Sequence, residues 1–381
     1  MSGAQWRVVV AMDSFKGSIG SADAGAAVAR GVLAADPHAW VTVIATADGG
    51  EGTLDALATV HGARRARVAA TDLLGRPVTA DYVILGDSII IESASVLGLP
   101  LLPQTPQGKP DPASPRVATS LGLGLLARAL IDEHQPRRLV IGLGGTGCSD
   151  GGTGMIVGLG GTVLDAEGTP IDPREANPVL RGACAVRLPD LGGVEVIGLT
   201  DVTAALTGPT GAAHVFAAQK GADQVTVGEL EDGLQAWGHA LGVGVAAQPG
   251  AGAAGGIGAA LAALGGELHS GVEWILDAEA PLAFERADMV FTGEGRIDTQ
   301  SSMGKVPDGV AQRAVRQGAR TVVALAGSVE AGASVPGIDS VFPIHSSPVT
   351  LAEAMDPAVT ARALENTARQ VTALAKGIAR S

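Results

Sequence analysis

Acidic residues stand beside glycine-rich stretches along the whole 381-residue chain: Asp13, Asp48, Glu51, Asp150, Asp201, Glu294 and Asp298. Lys16, Lys220, Lys305 and Arg296 occupy the same kind of setting. Carboxylates that can hold Mg²⁺ or take a hydroxyl proton, with cations to neutralise equatorial oxygens, are the parts phosphoryl transfer needs. The glycine stretches are Asp48–Thr53, Gly142–Gly152, Gly250–Gly258 and Gly293–Asp298. Exposed main-chain N–H groups in such loops attract phosphate or carboxylate oxygens. Turn glycines at tight corners are the plainer alternative for any one of them, but four in one chain favour a polyanionic ligand.

Other readings of the same residues compete. Asp13, Asp48 and Asp150 each fall ahead of a helix start and suit N-caps, and Lys220 suits a solvated surface position. Gly142-Leu143-Gly144-Gly145-Thr146-Gly147 is a GxGxxG pattern with Asp165 about twenty residues on, which matches the dinucleotide fingerprint and keeps an NAD-dependent oxidoreductase in view. A phosphate loop ending at Lys305 fails, because Thr299 stands where its first glycine must be and Val306 where Ser or Thr must be. The histidines show no metal-ligand spacing, and His214 and His345 fit no pattern.

Short apolar runs position these groups. Trp6–Met12 and Val41–Thr46 read as buried strands. Ser21 is placed to cap a helix running to about Ala35, and Thr53–His61 reads as a helix. Arg67–Ala70, Val78–Leu85 and Ile89–Glu92, joined by turn residues, read as antiparallel hairpins. Helices are expected at Val117–Ile131, 225–241, 306–317 and 358–378, with strands at Arg138–Ile141, Val194–Leu199, Asp288–Phe291 and Thr321–Ala326. The opening grammar thus returns after Ala287. The implied fold is α/β: a Rossmann- or flavodoxin-like parallel-sheet domain from both chain ends (1–65 and 288–381), with a mixed α/β domain (66–287) inserted.

Composition narrows the class. Hydrophobic residues make up 46% and charged residues 17%, which excludes wholesale disorder. A net charge of −13 without a basic block argues against a nucleic-acid polymer as partner. The uncharged stretch Ala240–Gly266 is glycine-rich and broken by Gln248 and Pro249, so it reads as a loop and small-residue helix and not a membrane span. Two cysteines build no disulfide framework, and Val8–Met12 is too short for a signal core, so a cytoplasmic location is expected.

Taken together, the motifs resemble the class I glycerate kinases of bacteria over roughly Val8 to Ala375. They are Asp13-Ser14-Phe15-Lys16-Gly17-Ser18, Ala47-Asp48-Gly49-Gly50-Glu51-Gly52-Thr53, Ser95-Val96-Leu97-Gly98-Leu99, Gly142-Leu143-Gly144-Gly145 with Asp150-Gly151-Gly152, Gln219-Lys220-Gly221-Ala222, Gly250–Gly256 and Thr292–Asp298. The resemblance implies ATP- and Mg²⁺-dependent phosphorylation of D-glycerate to 2-phosphoglycerate in a cleft between two domains. It implies glycerate and a nucleotide as partners, no membrane, and a homodimer as one assembly to consider.

Carried onto this chain, the resemblance makes Lys16, Asp201, Asp298 and Arg296 the catalytic candidates. Asp201 or Asp298 would act as base or Mg²⁺ ligand. Substrate and phosphate contacts would come from Ser14, Asp48, Gly49, Gly50, Glu51, Gly144, Gly145, Asp150, Gly151, Lys220, Gly252, Gly255, Gly256, Gly293, Glu294 and Lys305. A non-catalytic binding protein derived from such a kinase is the remaining alternative. It is prompted by Thr200-Asp201-Val202-Thr203-Ala204-Ala205-Leu206, where the family reads Cys-Asp-Val-Asp-Asn-Pro-Leu. The chain also departs at Ala118–Gly122 and at Ser149, which replaces an Asn.

Overall fold

The computed structural model describes residues 5–298 and 306–379. The chain divides into two compact units, Met1–Asp48 with Asp55–Val60 and Val272–Ser381, and Gly49–Leu54 with His61–Gly271. Segment 272–287, expected in the inserted domain, belongs to the unit of the chain ends. The reason is apolar packing: Val272, Leu276 and Phe284 share a core with Val9, Ile44 and Val310.

In the first unit five parallel strands lie in the order Ser340–Pro343, Val322–Val329, Met289–Ile297, Arg7–Met12, Trp40–Ala45. Val8 to Met12 are all buried, as an apolar run covered on both faces must be. The chain leaves Arg7–Met12 toward one side for Trp40–Ala45, and its later strands fill the other side. The boundary between Arg7–Met12 and Met289–Ile297 is therefore the switch point, outside whose carboxyl ends open α/β sheets bind ligands. One expected loop proves to be strand here. Gly293-Glu294-Gly295-Arg296 continues Met289–Ile297, because Gly293 lies so near the next strand that a Cβ would sit 1.9 Å from the Leu325 carbonyl oxygen.

The second unit holds a mixed six-stranded sheet ordered Glu267–His269, Glu195–Leu199, Arg138–Gly142, Ser88–Glu92, Pro77–Leu85, Arg64–Thr71. The last three form the antiparallel hairpins read from the sequence, and the others pair in parallel. Gly49–Leu54 docks here through the Gly144 N–H to Gly49 O bond (3.2 Å) and the Leu54 N–H to Glu92 Oε1 bond (2.8 Å). The helix expected over 53–61 is only Thr53–Leu57. The small-residue segment forms the helix Ala253–Ala263, and among the described residues no helix is long and apolar enough to cross a membrane.

Helix Ser21–Ala35 starts after Gly20, and Ser21 is not its cap: its Oγ instead accepts the Thr46 N–H at 2.7 Å. This helix packs against the long C-terminal helix Pro357–Ile378 through Gly31, where a Cβ would fall 2.2 Å from the Glu365 carbonyl oxygen. Gly228, in helix Gln224–Leu241, has open space around the same position. Gly31→Ala is expected to destabilise the protein by about 1–3 kcal/mol through overpacking. Gly228→Ala should stabilise it by roughly 0.5–1 kcal/mol through helix propensity. Chemical denaturation of the two variants checks this opposition of sign.

Candidate active site

At the switch point a cavity of about 590 Å³ opens within the first unit. Its polar lining comprises Asp13, Ser14, Lys16, Asp48, Glu294, Arg296 and Asp298, with Ser328, His345 and Thr360 around them. Loops that follow strands supply Asp13, Ser14, Lys16 and Asp48, and strand Met289–Ile297 supplies Glu294 and Arg296. Asp13 follows the Arg7–Met12 strand, and its N–H donates to the Gly293 carbonyl at 2.9 Å. Glu294 is therefore held beside it on the neighbouring strand. Arg296, exposed, stands 3.6 Å from Asp298 and 3.7 Å from Glu330.

Asp13 carries the unusual chemistry. It is only 8% exposed, and its Oδ1 accepts the Ser14 N–H at 2.6 Å. Burial, reinforced by the negative charges of Asp48 and Glu294, pushes its carboxyl up to about 7 against the opposing pull of the Ser14 amide and Lys16. A carboxylate titrating there is matched to proton abstraction at neutral pH. It is not a helix cap, since the following helix begins at Ser21. In the sequence it is one acid among several; the signal that singles it out is its place directly after the buried apolar run Val8–Met12.

The structure thus gathers Ser14, Lys16, Asp48, Glu294, Arg296 and Asp298 in one pocket with Asp13. Lys305 lies outside the described residues. Glu51 is exposed in the second unit, and Asp201 is half-buried there after strand Glu195–Leu199. Among the described residues no three His, Cys, Asp or Glu side chains stand together so as to hold a metal ion.

The glycine loops of the second unit pack closely on one another. The Gly151 amide bonds the Gly255 carbonyl (3.0 Å) and the Gly252 amide bonds the Ala204 carbonyl (2.9 Å), so neither faces a ligand. A Cβ would lie 2.2 Å from Cys148 O at Gly255, 2.7 Å from Gly151 Cα at Gly256, 2.6 Å from Leu199 O at Gly49 and 2.4 Å from Gly50 Cα at Gly144. These glycines let backbone pack on backbone. Gly145 alone among them is exposed. The substituted stretch at Ala204 and Ala205 takes part through its carbonyls, which no side-chain change removes.

Asp150 and Lys220 are buried fixtures of the same packing. Asp150 Oδ2 accepts from Ser120 N–H (2.7 Å), Ser120 Oγ (2.8 Å) and Gly154 N–H (3.1 Å), and Oδ1 accepts from Gly152 N–H (3.2 Å). It anchors and caps within the fold. Lys220 is 2% exposed, which removes the solvated-surface reading, and its Nζ donates to the Cys148 carbonyl at 2.5 Å. Burial holds its ammonium below the usual lysine range, against the opposing pull of the Asp150 carboxylate. Neighbouring carbonyls are gripped likewise: Ser149 O by Asn177 Nδ2 (3.2 Å), Asp150 O by Thr153 Oγ1 (2.7 Å) and Gly151 O by Trp237 Nε1 (2.9 Å).

The dinucleotide fingerprint also dissolves. Helix Thr153–Gly158 does not start at the GxGxxG loop, and the Gly147 N–H bonds Leu97 O at 2.6 Å. Asp165 Oδ1 is engaged by the N–H groups of Glu167 (3.0 Å) and Thr169 (2.7 Å) in its own turn.

Comparison with known proteins points one way. The model of the "Glycerate kinase family" matches residues 8–376. The chain is 36% identical over 385 residues to a glycerate kinase of Bacillus cereus, covering 97% of this chain and 98% of that protein. It is 37% identical over 379 residues to the glycerate 2-kinase of Escherichia coli, covering 91% and 93%. A crystal structure of a protein proposed to be glycerate kinase 2 of Salmonella typhimurium LT2 superposes with a TM-score of 0.81 at 34% identity, over 99% of this chain and all of that one.

Lys220 gives a direct check of the second unit's construction. Lys220→Ala leaves the Cys148 carbonyl without its donor and opens a void, and is expected to cost about 2–4 kcal/mol. A solvated lysine would cost within about 0.5 kcal/mol. Urea denaturation of the full chain separates the two.

Proposed function

Because the chain belongs to the glycerate kinase family, we propose that it transfers the terminal phosphoryl group of ATP to the 2-hydroxyl of D-glycerate, with Asp13 as the base. The observation that carries this reading is the buried Asp13 carboxylate at the switch point, raised to about 7 among Asp48, Glu294 and Lys16. The hydroxyl oxygen attacks the γ-phosphorus while its proton passes to Asp13. The bond from that phosphorus to the β-phosphate oxygen breaks, and 2-phosphoglycerate and ADP leave. Lys16 and Arg296 are the cations on this pocket that can meet the acceptor's carboxylate and the phosphate oxygens. Ser14 and Glu294 line the same wall and can orient the acceptor's hydroxyls.

Mg²⁺ is part of the proposal as the nucleotide's counter-ion. The donor set fits an ion held mainly by water and phosphate with a single carboxylate, as Mg²⁺ commonly is, because no three-ligand cluster exists among the described residues. Asp298, which lines the pocket with Asp48 and Glu294, would hold the ion. Once bound, the ion neutralises phosphate oxygens and favours the leaving ADP.

A coupled assay with ATP, Mg²⁺ and D-glycerate tests the reaction, and phosphorus NMR of the product tests the position of transfer. Absence of glycerate-dependent ADP formation by folded protein would overturn the reading. In wild type, kcat/KM is expected to rise with pH through an apparent pKa near 7 as Asp13 loses its proton. Asp13→Asn should lower kcat by about 10²–10⁴ and erase that inflection. Stability moves the other way. A carboxyl raised on folding binds its proton more tightly in the native state, so its stabilising contribution is complete below about pH 4 and lost by pH 7. Asp13→Asn should therefore melt above wild type at pH 8, by about 2–4 °C for each kcal/mol regained, with the gap narrowing as the pH falls and closing only below about pH 4.

A further inference from the structure

The Asp13 pocket is larger than a three-carbon acid needs, and one of its walls is apolar. Its volume falls in the range of roughly 300–1,000 Å³ that holds drug-sized ligands. The short helix Leu351–Ala354 and the residue after it bring Leu351, Ala354 and Met355 onto the lining. Leu351 is 73% exposed and Met355 42% exposed. Apolar side chains left open around a cavity mark a surface that a ligand covers.

This shelf is firmly built. A capping box at Thr350 and Glu353 pins the helix start, with Thr350 N–H bonded to Glu353 Oε2 at 2.8 Å and Glu353 N–H to Thr350 Oγ1 at 3.3 Å. Thr360 Oγ1 holds the Ala354 carbonyl at 3.1 Å and shares a 2.7 Å hydrogen bond with Ser18 Oγ. Gly17 passes under Met355, where a Cβ would stand 3.2 Å from the sulfur. The loop from Asp13 to Ser18 thus runs from the carboxylates, past Lys16, to the apolar wall.

The reactants differ in what they can offer such a wall. Glycerate carries a carboxylate and two hydroxyls and has no apolar face. The triphosphate has none either, and the ribose is hydroxylated. The nucleobase alone presents a broad π surface, which thioethers and aliphatic side chains pack against well. We propose that Leu351, Ala354 and Met355 form the nucleobase subsite, so that the triphosphate runs along the Lys16 loop toward Asp13. This inference rests on the kinase reading above.

The test measures nucleotide binding apart from turnover, by fluorescence titration of the full chain with mant-ADP and Mg²⁺ but no acceptor. Met355→Glu should weaken mant-ADP at least about tenfold and raise KM for ATP to match. KM for glycerate should stay within about twofold, and Met355→Leu should behave as wild type. Unchanged mant-ADP affinity in Met355→Glu overturns the subsite, as does a rise confined to KM for glycerate, which would make the shelf an acceptor wall. A melting temperature matching wild type excludes loss of fold as the cause of weakened binding; should Met355→Glu be unstable, Leu351→Gln, at a more exposed position, reads the same affinity. If wild type turns over ATP with glycerate and the variants bind normally, the subsite alone fails. If wild type neither binds mant-ADP nor phosphorylates glycerate, the kinase reading fails with it.

Discussion

A single backbone hydrogen bond, Asp13 N–H to Gly293 O at 2.9 Å, sets the geometry on which the active-site reading depends. It extends the pairing of two parallel strands by one residue beyond Met12 and so fixes Asp13 alongside Glu294. With the backbone held there, the Asp13 carboxyl is largely buried near Asp48 and Glu294. Its affinity for a proton follows from that confinement. The adjacent strand enforces the arrangement, since a side chain at residue 293 would collide with the Leu325 carbonyl and push the strands apart.

The two units use glycine for related ends. In the first, Gly293 brings strands together so that charged neighbours face one pocket. In the second, Gly151, Gly252, Gly255 and Gly256 allow two loops to lie backbone against backbone. Burying so much main chain obliges the protein to supply partners for its carbonyls, because an unmet buried polar group is costly. Lys220, Asn177, Thr153 and Trp237 meet that obligation in succession along Cys148–Gly151. A lysine is a costly choice for such a task. Its ammonium is desolvated, and the nearby Asp150 charge offsets part of that cost.

Much of this fold was legible in the sequence. Trp6–Met12 and Thr321–Ala326 are apolar runs with no amphipathic period, which central parallel strands require, and turn residues at Leu74–Pro77 and Gly86–Ser88 announced the hairpins. Gly293–Arg296 misled because alternating glycine and charge resembles a loop; only a neighbouring backbone 1.9 Å from an absent Cβ explains why strand persists there. The motif residues around Asp13, Asp48 and Glu294 converge, yet nothing in their types distinguishes Asp13, because its altered proton affinity comes from burial and neighbours. Lys220 and Asp150 carry the same ambiguity in reverse. Their charges suggested ligand contact, and tertiary packing assigns them to the interior.

The substitutions after Asp201 bear on the chemistry in a way composition alone did not reveal. Thr203, Ala204 and Ala205 lack the side-chain acid and amide of the family pattern, which suggested a weakened metal site or lost catalysis. In the structure this stretch meets the glycine loop through main-chain atoms, the Ala204 carbonyl holding the Gly252 amide and the Ala205 carbonyl filling the space a Cβ at 252 would need. Small side chains are compatible with that contact. The carboxylates proposed for proton transfer belong to the other unit, around the ends of its parallel strands. The proton affinity of Asp13 is set by burial and by Asp48 and Glu294 of its own unit, with Gly293 holding the strand pairing that places it.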